Sequence, residues 1–458
     1  MILTGKNQNT PAYVSDEPQS DIEVFRAGLA HAQTHAEAIA KMYEEALGPA
    51  GLGGEGMENY PDPDLFTAQG VESTLRAGER ILGVARFKDG ELLGAMVMDF
   101  LSPYHIEFNS MAVKRSRRGL SVGSRLVEGL SDMANEEPLR INTTELVKHS
   151  IASQAAHFHA GLDKICGFAF CHYPHVFFKD HPESVLWVSR LQGRLVPLIK
   201  QYRASLGRRL GSTVADVVPA LLAHQARTQP HLIQKLTESD LALVAEILRE
   251  RTIYVPSDYL DLASAIVFQF EDVCDRIFVT ERDLNSGSLK AVNNLEAYDQ
   301  ARSESEKASK RPAINLEIQY KDGFGHSYID YKPEFVFDAD ELDAAIQAVL
   351  DKGKRYIQVR IPANQKECID LVLALKERGF AFMGLVPLYG YQKSDADTDK
   401  FYDVLIMQYI ASRVLTANAL PGDTESVVKI YGYPLNLSGA LIARIKKDLA
   451  QHHPAGDR

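Results

Sequence analysis

The sequence predicts an α/β protein in which strands and helices alternate along most of the 458 residues. Three observations carry that reading. Apolar runs flank Asp-Gly turns at Asp89-Gly90 and Asp322-Gly323, the short-range signature of hairpins. Amphipathic runs of helical period separate the strand-like segments. A helix that meets a glycine and runs on into a strand occurs twice, over 150–168 (Gly161, then Cys166-Gly167) and 364–385 (Gly379, then Met383-Gly384). This echo suggests duplication, with Gly161 and Gly379 supplying the positive φ that a helix end favours.

In chain order, residues 1–20 are a polar lead-in, 22–25 strand-like, and 31–47 a helix with Ala36, Ile39, Ala40, Tyr43 and Leu47 on one face. The glycine-rich 48–56 reads as a loop. Strands follow at 80–87, 92–100 and 105–113, then a basic loop and a helix through Met133. A strand at 139–147, a helix at 150–159 and an aromatic strand at 166–178 come next. From 184 to 229 the reading is helical. Residues 231–236 are strand-like, and Thr237-Glu-Ser-Asp240 is a helix-start signature. The stretch 283–312 is polar and reads as an inserted loop. Strands are predicted at 314–320, 326–331, 356–361, 380–387 and 402–410, with helices at 338–352, 365–378 and 437–449. The domains predicted are thus 1–183, a helical linker 184–230, a second domain 231–413 and a tail 414–458. An aromatic edge around Phe170 and Tyr173 needs covering, and the strands at 380–387 and 402–410 are the segments expected to do it.

Composition narrows the function. A net charge of −11 argues against a general nucleic-acid binder, which carries a basic face. No run approaches the ~18 apolar residues of a membrane span. The N-terminus lacks a basic region followed by an apolar one, so no secretory signal is expected. Four cysteines without a C-x-x-C pair fit reduced thiols and a cytoplasmic setting. Six of the fourteen histidines fall between His149 and His181, but with Cys166 and Cys171 they match no standard zinc spacing, so no metal is expected. A small-molecule partner remains.

The segment most informative about chemistry runs from Val113 to Val127 and joins a strand to a helix. Gly119, Ser121, Gly123 and Ser124 let a ligand approach the backbone closely. The first-turn amides of a helix lack internal partners, and its dipole places positive potential there, so a pyrophosphate fits. The competing reading is a solvated basic loop that only starts a helix; the coincidence of strand, small residues, Lys114, Arg115, Arg117 and Arg118, and helix favours phosphate.

This segment resembles the acyl-CoA-binding motif of the GNAT superfamily of N-acyltransferases. Arg118 opens the pattern and Gly123 closes it, while Ser121 stands where a glycine is usual and tightens the backbone demand. The resemblance covers about 21–180 and implies a fold of mixed central sheets flanked by helices. It implies that amides from Arg118 through Gly119, Ser121, Val122 and Gly123 to Ser124 hold the pyrophosphate of acetyl-CoA. The backbone of Met111 and Val113 would pair with the pantetheine arm. Asn364, Gly379 and Phe380 resemble a second, degenerate GNAT copy without the coenzyme motif, and the whole chain is similar to bacterial tandem-GNAT proteins.

Acyl transfer to an amine requires a base, oxyanion stabilisation and a proton for the departing thiolate. The resemblance implies Glu107 as base and puts His157 at the position of the acid; an exposed strand glutamate and a packed histidine are the alternatives. Glu145 and His149 are candidate substrate contacts. The expected activity is N-acyl transfer from acyl-CoA, acetyl first, to a small amine, with no nucleic acid or membrane involved. The alternatives are a carrier-protein or other activated donor, and a non-catalytic acyl-CoA sensor or scaffold. Neither acceptor nor oligomeric state is written in the sequence.

Overall fold

The Asp89-Gly90 turn closes the hairpin expected of it: Gly90 has φ of 99°, and the flanking strands pair antiparallel. The computed structural model describes residues 21–48, 62–77, 80–147, 150–173, 183–206, 236–273, 276–286, 316–321, 325–393, 400–411 and 435–452. The architecture is mixed α/β, with sheets flanked by helices. Packing divides the chain into two compact units. The first takes Glu107–Met133, Ala152–Gly161 and the described part of Met1–Phe100; the second takes Leu101–Ile106, Ala134–Ile151 and the described part of Leu162–Arg458.

The first unit contains β1 (Ile22–Arg26), α1 (Leu29–Leu47), α2 (Ala68–Ala77), β2 (Arg80–Phe87), β3 (Leu92–Phe100), most of β4 (His105–Val113), most of α3 (Val122–Asn135) and most of α4 (Ile151–His159). Its strands lie in the order β1-β2-β3-β4. Helix α3 sits unusually close to them. A Cβ on Gly94 of β3 would meet Val122 at 2.9 Å and Leu126 at 3.0 Å, and one on Gly83 of β2 would meet Leu130 at 2.8 Å. These two strand glycines let the helix seat directly on the sheet, which fixes where its N-terminus points.

The second unit contains β5 (Arg140–Val147), β6 (Lys164–Tyr173), β7 (Glu183–Gln192), α5 (Val196–Leu206), α6 (Glu238–Leu248), β8 (Arg251–Tyr254), α7 (Leu260–Phe268), β9 (Arg276–Val279), α8 (Glu281–Ser286), β10 (Leu316–Lys321), β11 (His326–Tyr331), α9 (Ala339–Asp351), β12 (Tyr356–Pro362), α10 (Glu367–Glu377), β13 (Ala381–Gln392), β14 (Lys400–Ile410) and α11 (Leu435–His452). Its main sheet runs β5-β7-β6-β13-β14-β12-β11-β10, and β8 and β9 form a separate parallel pair. The triplet β5-β7-β6 is mirrored by β12-β14-β13, with antiparallel pairing throughout both.

The mirror line is the echo found in the sequence: Gly167 of β6 pairs with Gly384 of β13. A Cβ on Gly384 would collide with the Cys166 carbonyl oxygen, and one on Gly167 would lie 2.9 Å from the Met383 oxygen. Two glutamine amides extend this seam. Gln408 accepts from the Phe170 amide (2.8 Å) and donates to the Phe168 oxygen (3.1 Å), and Gln269 does the same for both backbone groups of Ile165 (2.9 and 2.8 Å). Side-chain amides thus satisfy strand groups that would otherwise be buried unpaired. The aromatic strand is covered by the 380–387 segment, as expected.

One expectation is corrected. Residues 184–192, read as the start of a helical linker, belong to strand β7 (Glu183–Gln192) between β5 and β6. Val185, Leu186, Trp187 and Val188 are all buried. A strand buried on both faces shows a continuous apolar run, which periodicity cannot separate from a helix. The polar insertion begins later than expected, because 283–286 belong to α8. The elements between 251 and 279 have no counterpart in the sequence reading. The glycine-rich 49–56, the Asp322-Gly323 turn and the 231–235 segment lie outside the described residues. Gly161 and Gly379 have φ of 80° and 86°, and Thr237 caps α6 in a reciprocal box with Asp240, both as expected.

The seam makes a clear prediction. Gly384→Ala should destabilise by roughly 3 kcal/mol or more, since the clash is with backbone that cannot rotate away. Gly439→Ala, in α11 with open space around it, should instead stabilise by about 0.5–1 kcal/mol. Urea unfolding of the two variants tests the pair.

Candidate functional site

The strand–loop–helix segment of the first unit has the backbone of an anion site. After β4 the chain makes a short 3-10 turn at Arg115–Arg117, passes Gly119 (φ 91°) and Ser121 (φ 60°), and enters α3. Ser121 is therefore in the left-handed region, the demand that its place in the motif implied; a non-glycine residue there costs about 1–2 kcal/mol. The first helical bond, Arg125 N–H to the Ser121 oxygen, is 3.0 Å. No acidic side chain stands in the first turn of α3 to compete for its amides. A Cβ on Gly123 would sit 3.3 Å from both Met111 Sδ and Ala156 Cβ, so glycine brings the helix start tight against β4 and α4.

The basic run divides. Lys114 and Arg117 both pair with Glu91, at 3.4 and 2.7 Å. The Arg117 hydrogen bond holds the Glu91 carboxyl below its usual pKa. Arg118, by contrast, is exposed beside the loop.

Along β4, Ile106, Phe108 and Ala112 are buried, while Glu107, Asn109, Met111 and Val113 are half-buried, so the last four share the face expected of them. Ser110 interrupts the strand with φ of 50°. Sequence reasoning missed the network beside Glu107. Asn109 Nδ2 donates to Asp99 (2.6 Å), which with Asp62 (2.6 Å) clamps Arg80. Burial works against the Arg80 charge, but hydrogen bonds to Asp99 and Asp62 outweigh it and raise its pKa. Only the strand pairing of Arg80 with Asp99 could have signalled this in advance.

His157 is buried, and its Nδ1 donates to the Ser153 carbonyl (2.8 Å). Burial pushes its pKa down to about 4. A ring that is neutral at pH 7 with its proton committed to Ser153 offers no proton from Nε2, so its surroundings fit the packed histidine better than the acid.

Glu145 belongs to the second unit, and its partners come from strands. Trp187 of β7, directly opposite it, donates through Nε1 to Oε1 (2.8 Å), and His172 Nε2 of β6 lies 3.2 Å from Oε2. Its expected companion His149 lies outside the described residues. Trp187 was hidden by the helical reading of its strand. Cys166, Cys171 and Cys368 are buried and form no disulfide, and burial pushes the Cys166 and Cys368 thiol pKa values up. Among the described residues, no helix is long and apolar enough to cross a membrane and no cluster of three or more ligating side chains is placed for a metal.

The first unit thus carries a helix seated on its sheet and entered through a small-residue loop with two residues at positive φ. Residues 39–168 match the model of the acetyltransferase (GNAT) family. Among solved structures the chain is similar to ribosomal-protein-S5-alanine acetyltransferase from Vibrio fischeri (13% identity, 38% of this chain and 93% of that one, TM-score 0.29). It is also similar to a phosphinothricin acetyltransferase from Sinorhizobium meliloti in complex with AcCoA (17%, 38% and 89%, 0.29). A third is a mutant of the spermidine N-acetyltransferase SpeG from Vibrio cholerae (11%, 38% and 95%, 0.29). No curated protein matches the chain.

The strain at Ser121 can be measured. Ser121→Gly should relieve it and stabilise by about 1 kcal/mol, read as a rise in melting temperature. The buried histidine gives a pH dependence. For His157, the unfolded chain titrates near 6.5 and the folded protein near 4. The unfolded state therefore binds the proton first. Stability from this group is complete above pH 6.5 and is lost as pH falls toward 4, about 2 kcal/mol of it between pH 7.5 and 5. Urea unfolding at those two pH values should show that much less acid sensitivity in His157→Gln.

Proposed function

We propose that the protein is an N-acyltransferase that moves an acyl group, acetyl first, from coenzyme A to a primary amine. The observation that carries this is the loop at 118–124, with Ser121 at positive φ and Gly123 packed on Met111, within a segment that matches the acetyltransferase family model. The first-turn amides of α3 receive the pyrophosphate, Arg118 adds charge at the rim, and the backbone of β4 at Met111 and Val113 receives the pantetheine arm. Glu107, on the same face, removes a proton from the acceptor ammonium, directly or through water. The freed amine attacks the thioester carbonyl, a backbone amide near Met111 takes the oxyanion, and collapse expels the thiolate as the surplus proton on the attacking nitrogen passes to it through water. His157 stays a packing residue in this reading. The cytoplasm is the setting proposed from the sparse cysteines and their lack of a C-x-x-C pair.

The mirrored order of β5-β7-β6 and β12-β14-β13 supports reading the second part as a degenerate GNAT-like copy, with the first copy extended to Gln192. That copy lacks the coenzyme loop and serves structure. Donation from a carrier protein, or binding without catalysis, would leave the same loop with different chemistry.

Isothermal titration with acetyl-CoA should give one site per chain, abolished in Gly123→Asp, where a carboxylate would face the pyrophosphate. Two sites of similar affinity, or none, overturns the reading. Glu107→Gln should lower turnover roughly 10²-fold at neutral pH and less at high pH, where the amine is already unprotonated. Release of free thiol with a panel of amines measures it, and unchanged turnover would move the base elsewhere.

A further inference from the structure

Two strand irregularities in the second unit direct side chains to one place. Cys171 in β6 has φ of 54° and Leu388 in β13 has φ of 61°. Register shifts accompany them, between Ala169 and Tyr173 and between Val386 and Gly390. Bulges re-aim neighbouring side chains, and strain of this kind in non-glycine residues collects at ligand sites. The neighbours here are His172 and Tyr389. His172 lies against Glu145, as described above. Tyr389 packs edge-on against His105 (4.3 Å between ring centres) and stands 6.1 Å from the Trp187 ring. The bulge at Leu388 is held from behind, because its amide donates to Asp403 (2.7 Å), which pairs with Arg276.

β11 and β12 complete the cluster. They run parallel with Tyr328 opposite Gln358 and Asp330 opposite Arg360, so these four share one face. The Arg360 guanidinium lies 3.8 Å over the Tyr328 ring and 5.9 Å from that of Tyr389. Its nearest carboxylate oxygen, on Asp330, is 3.6 Å away, too far for a hydrogen bond. Burial disfavours its charge, yet Tyr389, Asp330, Tyr328 and Glu145 together hold its pKa above the ordinary value.

The polar accounting is incomplete at two atoms. Arg360 Nε is a buried donor and Gln358 Oε1 a buried acceptor, neither with a hydrogen-bond partner among the described residues. Gln358 is fully buried, and its Nε2 already donates to Tyr356 (3.2 Å). The two orphans sit two residues apart on one strand face. Glu145, Asp330 and Arg360 keep 12, 14 and 17% of their side chains exposed, so the cluster meets solvent at its charged end. A guanidinium not engaged by a fork-matched carboxylate accepts one from a ligand. A half-open carboxylate, a buried amide oxygen and aromatic faces accept an ammonium.

We propose that Arg360, Gln358, Glu145 and Tyr389 form a binding site for a small zwitterion of the α-amino-acid type. Arg360 takes the carboxylate, Glu145 and the Gln358 oxygen take the ammonium, and Tyr389 covers the carbon between them. The site lies wholly within the second unit and does not rest on the acetyl-transfer reading.

The test uses the full-length chain without acetyl-CoA. The twenty common L-amino acids are screened by thermal shift and titrated by calorimetry. Each binder is compared with the amine lacking its carboxylate and the acid lacking its amine. At least one amino acid should raise the melting temperature, with both truncated counterparts binding at least tenfold more weakly. Arg360→Lys keeps the charge but removes the planar fork, and Glu145→Gln removes the anion; each should weaken binding tenfold or more. If Arg360→Lys does not fold, Glu145→Gln alone carries the comparison. No binding by any of the twenty, or binding unchanged in the folded variants, overturns the proposal and leaves the cluster a structural one.

Discussion

The approach of Gly167 to Gly384 is the constraint on which the second unit depends. Two strands meet there backbone to backbone, closer than any side chain permits. The pairing is short, and the groups it leaves over on β6 are met by the amides of Gln408 and Gln269. Asp448 of α11 closes the far side by accepting from the Phe382 amide (3.2 Å) and from Tyr259 (3.1 Å). Everything mirrored about that seam, from β5-β7-β6 to β12-β14-β13, inherits its placement from it.

Backbone strain marks where this chain departs from regular structure for a purpose. Among the described residues, four of the five non-glycine positions with positive φ fall in two places: Ser110 and Ser121 around the β4–α3 loop, Cys171 and Leu388 beside the buried charge cluster. Such conformations persist only where the surroundings over-determine them. At Ser121 the determinant is the seating of α3 on Gly83 and Gly94. At Leu388 it is Asp403, a buried carboxylate that burial alone would neutralise and that Arg276 and Arg251 keep ionised.

The buried histidines serve packing more than titration. His105, pushed down to about 3 by burial, contacts Thr143 through Nε2 (2.7 Å) and carries Tyr389 on its ring. His157 similarly spends its proton on a helix carbonyl. Of the histidine-rich 149–181 stretch, His157 is a buried neutral ring bonded to a helix carbonyl.

Local structure and the strand–loop–helix segment were legible in the residues before any coordinates. The Asp89-Gly90 hairpin, the Thr237 cap, the helix-ending Gly161 and Gly379 and the Val113–Val127 segment are decided by turn chemistry, φ preference and first-turn amides, all properties of neighbouring residues. The rest waited for the folded chain. Val185–Val188 became a central strand because it is covered on both faces, which no periodicity records. Glu145 drew its partners from His172 and Trp187, and Arg360 its surroundings from Tyr328 and Tyr389, because bulges turn side chains that regular alternation would send elsewhere. Contacts between strands far apart in the chain depend on register, and register is set by the whole sheet.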